Sequence, residues 1–220
     1  MNEDKPSKIL KVKPPTDYPP EEGCYLRGND YSPVAVVVML NAPYEPMPPD
    51  IEMLTKVSVE TGAAMAGTLQ TENIGIEKIV VNIVANPNIR YLILCGAEVE
   101  GHYTGDAIRA LTENGVNEKR TIIGSKAKTP YLFNITNVVI ERFRKQITLV
   151  NILNVMDPET VKKGVWSCYQ ESPTKFMDYT LYDTGAYPEP AICQKIKLKV
   201  PKPQEIEDWE IDDLLKEIEK

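Results

Sequence analysis

Histidine is nearly absent from this sequence, with His102 the only one in 220 residues. Cysteine is sparse too. Cys24, Cys95, Cys168 and Cys193 lie far apart with no Cys-x-x-Cys pair, which excludes a zinc module built on about four Cys or His donors and offers no disulfide framework. We read these thiols as reduced and buried. No run reaches the roughly 18 to 20 apolar residues that a spanning helix needs, and the amino end is charged and proline-rich where a signal peptide would be apolar. A cytoplasmic chain with no membrane span is expected. Positive charge is also short, 25 Lys and Arg against 32 Asp and Glu for a net charge of −7, so binding to a phosphate backbone is not the main activity. We expect no nucleic acid partner.

What is present reads as one substantial core with appended ends. Residues 1–22 hold many prolines and charges but few large apolar groups, a composition that describes a mobile or draped arm. The run Val34 through Leu40 is β-branched and apolar on both faces, as in a strand covered on both sides. Ile51, Leu54 and Val57 then recur at helical spacing. Thr71 is placed to cap a second helix whose core stripe is Ile76, Ile79, Val80, Ile83 and Val84, stopped at Asn86-Pro87-Asn88. Tyr91 to Cys95 is the next strand, and Ile108 and Leu111 mark a short helix ending at Asn114-Gly115.

Thr121-Ile122-Ile123-Gly124 is expected to resume the sheet, and Val138, Val139, Phe143, Ile147 and Val150 describe one long amphipathic helix. Asp157-Pro158-Glu159 is a strong helix start, with the capping residue before a proline in the first turn. Alternating strands and helices argue for an α/β, Rossmann-like doubly wound sheet, mostly parallel, with helices on both faces. The expected units are the arm 1–22, the Rossmann-like domain 23–171 and an extension 172–220. That extension combines irregular structure and short strands, with Ile196, Leu198 and Val200 alternating, before an acidic amphipathic tail carrying Ile206, Trp209, Leu214 and Ile218.

In such sheets ligands bind beyond the carboxyl ends of strands, and His102 stands just there, between Gly101 and Gly105 after the apolar run of residues 91–95. Glu98, Glu100, Thr104 and Asp106 are each close enough in sequence to hold the second ring nitrogen. A lone histidine cannot build an all-protein metal site. A metal that brings its own equatorial ligands can use one, which leaves haem or a corrinoid, and composition does not choose between them. A structural role for His102 beside some nucleotide-like ligand is the bland alternative. The small-residue run 62–68 admits close backbone approach by a packed neighbour or by a bulky ligand.

Resemblance chooses. Gly62-Ala63-Ala64-Met65-Ala66-Gly67, Thr71-Glu72-Asn73-Ile74-Gly75-Ile76-Glu77-Lys78, Asn86-Pro87-Asn88-Ile89-Arg90-Tyr91 and Cys95-Gly96-Ala97-Glu98-Val99-Glu100-Gly101-His102-Tyr103-Thr104-Gly105 closely resemble the A subunit of tetrahydromethanopterin S-methyltransferase, the cobamide-carrying subunit. Residues 100–105 also look, more weakly, like the Asp-x-His-x-x-Gly segment of other corrinoid methyltransferases, with Glu100 for Asp. The resemblance implies cobalamin or a related cobamide as cofactor and His102 as lower axial ligand of its cobalt. It implies methyl transfer from a methyl-pterin onto cobalt(I) and onward to a thiol such as coenzyme M, with partner methyltransferase subunits. Storage, delivery or regulation by a non-catalytic corrinoid protein is the alternative.

Candidate cofactor contacts are Gly67, Thr68, Thr71, Glu72, Asn73, Gly96, Glu98, Glu100, Gly101, His102, Tyr103, Thr104 and Gly105. Pro130 and Tyr131 in the next carboxyl-end loop complete the set. Lacking the spanning helix of membrane-bound members of that family, the chain is expected to be a soluble cytoplasmic homologue.

Overall fold

The computed structural model describes residues 10–42 and 46–198. Its elements in chain order are β1 (Tyr25–Arg27), β2 (Val34–Met39), α1 (Pro49–Thr61), β3 (Met65–Leu69), α2 (Ile74–Val84), β4 (Tyr91–Cys95), α3 (Thr104–Asn114), α4 (Asn137–Gln146), β5 (Thr148–Asn151), α5 (Pro158–Cys168), β6 (Thr174–Phe176) and β7 (Tyr179–Leu181). The main sheet runs in the order β1-β3-β2-β4-β5. All its pairings are parallel except that of β1 with β3.

The β-branched run of β2 explains its central place, since both of its faces are buried. Ala35, Val37 and Met39 pack with Leu92 and Leu94 against α2, α3 and α4. Val34, Val36 and Val38 pack with Ile93 and Val150 against α1 and α5. Helices therefore cover both faces of an α/β, Rossmann-like, mostly parallel sheet, as expected. Each strand's two-residue alternation sends half its side chains to each helical layer. The chain leaves β2 toward β3 on one side and returns past it to β4 on the other. That reversal opens a crevice beyond the carboxyl ends of β2, β3 and β4.

Several local expectations are corrected. The small-residue run contains β3. Its glycine serves packing against the edge strand, since a Cβ on Gly67 would lie 2.6 Å from the Cβ of Tyr25. Helix α2 is capped by Asn73, whose Oδ1 accepts from the Ile74 N–H at 2.8 Å, while Thr71 Oγ1 accepts from Gly75 at 3.1 Å. Residues 121–124 do not rejoin the sheet; they form local bridges, Val116 with Ile122 and Thr121 with Tyr131. The long helix expected to reach Val150 stops at Gln146, and residues 148–151 are β5 on the sheet edge.

Gln146 marks that break physically. Its side-chain amide donates to the carbonyls of Ile83, Asn86 and Ile89, fastening the end of α4 beneath the sheet. The Asp157 cap of α5 is found as read, with its carboxylate accepting from the Thr160 N–H at 2.9 Å. Within 172–198 the strands are β6 and β7, a hairpin distinct from the main sheet, and Ile196 lies in neither.

The segment from residue 10 to residue 22 lies against the domain. Asn88 grips Val12 at both N–H and C=O, at 2.9 and 2.7 Å, and Asn82 grips Glu21 in the same way at 2.9 and 3.0 Å. Two buried amides thus replace a missing strand partner. The acidic tail expected at residues 205–220 and the first nine residues lie outside the described residues. Among the described residues, no helix is long and apolar enough to cross a membrane.

Candidate functional site

Three carboxyl-end segments meet at the crevice. Leu40 and Asn41 follow β2, Gln70 and Thr71 follow β3, and Val99, Glu100 and His102 follow β4; together they line a cleft of about 460 Å³. A second cavity of about 450 Å³ lies between β3 and α2, is more apolar, and shares only Thr71 with the cleft. The first is the better candidate because titratable and hydrogen-bonding groups converge there, whereas the second is walled by core residues such as Val37, Ile79 and Leu92.

The turn that carries His102 is short and tied. Gly96 leaves β4 at φ +89°, and a Cβ there would sit 2.8 Å from the Met39 nitrogen, so the strand exit tolerates only glycine. The carbonyl of Val99 accepts from both His102 at 3.2 Å and Tyr103 at 2.8 Å. Gly101 at φ +82° has open space on its Cβ side, and Tyr103 at φ 50° precedes α3.

The His102 ring meets Glu72, 30 residues earlier in the chain. Nδ1 lies 2.9 Å from Glu72 Oε2, with the imidazole 57% exposed and the carboxylate side chain only 3% exposed. The other carboxylate oxygen, Oε1, accepts from Thr129, at 2.8 Å from its hydroxyl and 3.2 Å from its N–H. Burial raises the Glu72 pKa, but hydrogen bonds from its own backbone, His102 and Thr129 outweigh that and hold the carboxyl below its usual range.

An ionised carboxylate only accepts, so the proton between the two groups belongs to Nδ1. In the neutral ring Nε2 then carries the lone pair, and it has no hydrogen-bond partner among the described residues. A half-exposed imidazole with a fixed tautomer and a free basic nitrogen can take a metal or accept a proton.

The candidate residues distribute unevenly around this point. Thr71, Glu100 and His102 line the cleft, with Glu100 exposed, while Gly67 and Thr68 line the apolar cavity instead. Asn73 caps α2. Thr104 is buried, and its hydroxyl donates to the Met39 sulfur at 3.3 Å. Glu98 turns its carboxylate to the N–H groups of Val99, Gly105 and Asp106. Asp106 accepts from Arg109 and from the Lys126 N–H. None of Glu98, Thr104 and Asp106 holds the His102 ring.

Pro130 and Tyr131 follow Thr129 directly, and Tyr131 stacks on Phe133 with ring centroids 5.4 Å apart. Sequence reasoning missed Thr129 and Asn154, whose side chain accepts from the Glu98 N–H at 3.0 Å. Asn154 follows the carboxyl end of β5, whereas Thr129 lies in the connection between α3 and α4, where the sequence carries no signal for it. Among the described residues no group of three or more His, Cys, Asp or Glu is arranged to hold a metal ion, so a metal here has to bring most of its own ligands.

Comparison with known proteins finds a match over residues 11–183 to the family model MtrA, which describes the A subunit of tetrahydromethanopterin S-methyltransferase. The chain is 40% identical over 190 residues to the A 1 form of that subunit from Methanothermobacter thermautotrophicus, covering 86% of this chain and 71% of that protein. Against the A 2 form from the same organism it is 40% identical over 196 residues, 88% of this chain and 93% of the relative. The corresponding tetrahydromethanopterin S-methyltransferase protein of Methanocaldococcus jannaschii is 38% identical over 164 residues, 74% and 64% of the two chains.

Proposed function

This chain belongs to the MtrA family, the A subunits of tetrahydromethanopterin S-methyltransferase, and from that premise we propose that it is a cytoplasmic methyl carrier that binds a cobamide through His102. The observation that carries the reading is the Nδ1 bond to buried Glu72 at 2.9 Å, which leaves Nε2 as a basic donor in an open cleft. The donor set fits the group: one imidazole and, among the described residues, no competing cluster of ligands, as a metal already held by a macrocycle requires. When bound, the cobamide supplies a cobalt centre that accepts a methyl group from methyl-tetrahydromethanopterin and yields it to a thiol such as coenzyme M.

The chain's own residues then have distinct tasks. His102 Nε2 would be the protein's donor to the cobalt. Glu72 holds the ring by its far nitrogen, raises the basicity of Nε2 and stabilises a ring that gains positive character. Thr129 keeps Glu72 aimed by donating two hydrogen bonds to its other oxygen. Thr71 and Glu100 border the space a large ligand would fill. The relatives are named as one subunit of that enzyme, and in our reading partner subunits would bring the methyl donor and acceptor.

The test is spectroscopic. Protein labelled with ¹⁵N-histidine and loaded with cobalamin is reduced to cobalt(II), and its electron paramagnetic resonance spectrum is read for a single histidine nitrogen coupling. Wild type should show the coupling and its change on labelling, and His102→Ala should lose it. An unchanged spectrum in the variant refutes axial ligation. If ligation holds but loaded protein with partner subunits neither takes methyl from the pterin nor gives it to a thiol, storage or delivery replaces transfer.

A further inference from the structure

We infer that Glu98 is a positioning residue that sets the orientation of His102 without touching the ligand. The turn from residue 99 to residue 103 would be free to swing if only its internal bonds held it. Its two ends, however, close on one carboxylate. Glu98 Oε1 accepts from Val99 at 2.9 Å, at the start of the turn, and from Gly105 at 2.9 Å, after it; Oε2 accepts from Asp106 at 2.8 Å. These last two donors belong to the first turn of α3, whose N–H groups have no partners within the helix and whose dipole favours a negative charge there.

The clamp is itself anchored. The Glu98 N–H donates to Asn154 Oδ1 at 3.0 Å, and the Asn154 N–H donates to the Gly96 carbonyl at 2.8 Å. Asn154 adopts φ 69°, a conformation that asparagine tolerates better than most residues. A Cβ at position 105 would fall 2.6 Å from Leu153 Cδ1 and 3.1 Å from Glu98 Oε2, so the carboxylate sits in a closely packed seat. Glu98 is absent from the residues that line the cleft. The backbone of His102 is therefore referenced through Glu98 to the exit of β5, and its ring through Glu72 to the start of α2. Two independent references fix where Nε2 points.

This rests on the reading of His102 as a ligand, but one of its tests does not. The protein has a single histidine, so its ring nitrogens give unambiguous ¹⁵N signals in the unloaded protein. At pH 8 wild type should show a protonated Nδ1 and an unprotonated Nε2. Glu98→Ala should bring the two nitrogen shifts toward a common average as the ring loses Glu72. Retention of cobalamin should weaken about tenfold or more, as when groups behind a metal ligand are removed.

Glu98→Gln should fall between. Its carbonyl oxygen can still accept from Val99 and Gly105, but its amide opposes the Asp106 N–H. A merely structural residue would lower thermal stability and leave both the nitrogen shifts and the cobalt(II) nitrogen coupling unchanged. A folded Glu98→Ala protein with wild-type shifts and coupling overturns the inference. If that variant does not fold, Glu98→Gln decides on the same two readouts. Should wild type lack the histidine coupling while Glu98→Ala still shifts the ring signals, the ligand reading fails and the positioning role stands.

Discussion

Replacing Glu72 separates what holds the site from what acts in it. The carboxylate side chain is 3% exposed and, besides its own backbone, accepts from His102 Nδ1 at 2.9 Å and from Thr129 at 2.8 and 3.2 Å. Deleting a hydrogen bond to a charged group costs about 1.5 to 3 kcal/mol, but removing a buried carboxylate also relieves its desolvation penalty, so Glu72→Ala should lose roughly 3 kcal/mol net. For a domain of this size that lowers Tm by about 6 to 12 °C. His102→Ala breaks one of those bonds, and its ring is 57% exposed, so water replaces much of what is lost. A loss of about 1 kcal/mol or less follows, near 2 to 4 °C. Both variants should lose the histidine nitrogen coupling of bound cobalt(II). Scanning calorimetry of the unloaded proteins at pH 7 gives the ranking, and Glu72→Ala melting within about 2 °C of His102→Ala would refute a buried carboxylate that ties two loops together.

Two further predictions concern residues away from the metal question. Burial pushes the Glu77 carboxyl up to about 7, against the hydrogen bonds from Asn134 and the charge of Arg120. Between its ordinary value of 4.5 and about 7 the folded state keeps a proton that the unfolded chain has released, so stability falls as pH rises through that window, by about 3 kcal/mol in all, and is flat above it. Glu77→Gln should abolish this slope in urea-unfolding midpoints measured from pH 4.5 to 8, and parallel curves for the two proteins would contradict it. At the strand exit, Gly96→Ala should cost about 3 kcal/mol or more, because it adds a contact 2.8 Å from the Met39 nitrogen to an unfavourable φ of +89°. Gly101→Ala at φ +82° meets nothing within 4 Å and should cost only the conformational part, about 1 to 2 kcal/mol, so equal melting losses would exclude the steric account.

The elements legible in the sequence are those whose burial repeats locally. The β-branched run of residues 34–39 could only be a strand covered on both faces, and Asp157 before Pro158 could only begin a helix. β3 was not legible because Ala66 and Gly67 carry no strand preference; their place between β1 and β2 is decided by partners distant in the chain. β5 was hidden because Ile147 and Val150, three positions apart, satisfy helical spacing, whereas in the structure they bury on opposite sides of the sheet; the break comes from Gln146 reaching three carbonyls around residues 83–89.

The same division runs through the site. By itself the sequence determined the strand-end position of His102, its glycine-bracketed turn and, through missing co-ligands, that any metal there must arrive with its own ring. It offered Glu98, Glu100, Thr104 and Asp106 as neighbours because they are near in the chain. Only the tertiary structure brought Glu72 and Thr129 to the imidazole and turned Glu98 inward to the backbone. Local periodicity records which side chains are buried, whereas the meeting of three loops is set by the order in which parallel strands assemble, and that order is written in contacts between residues 30 or more positions apart.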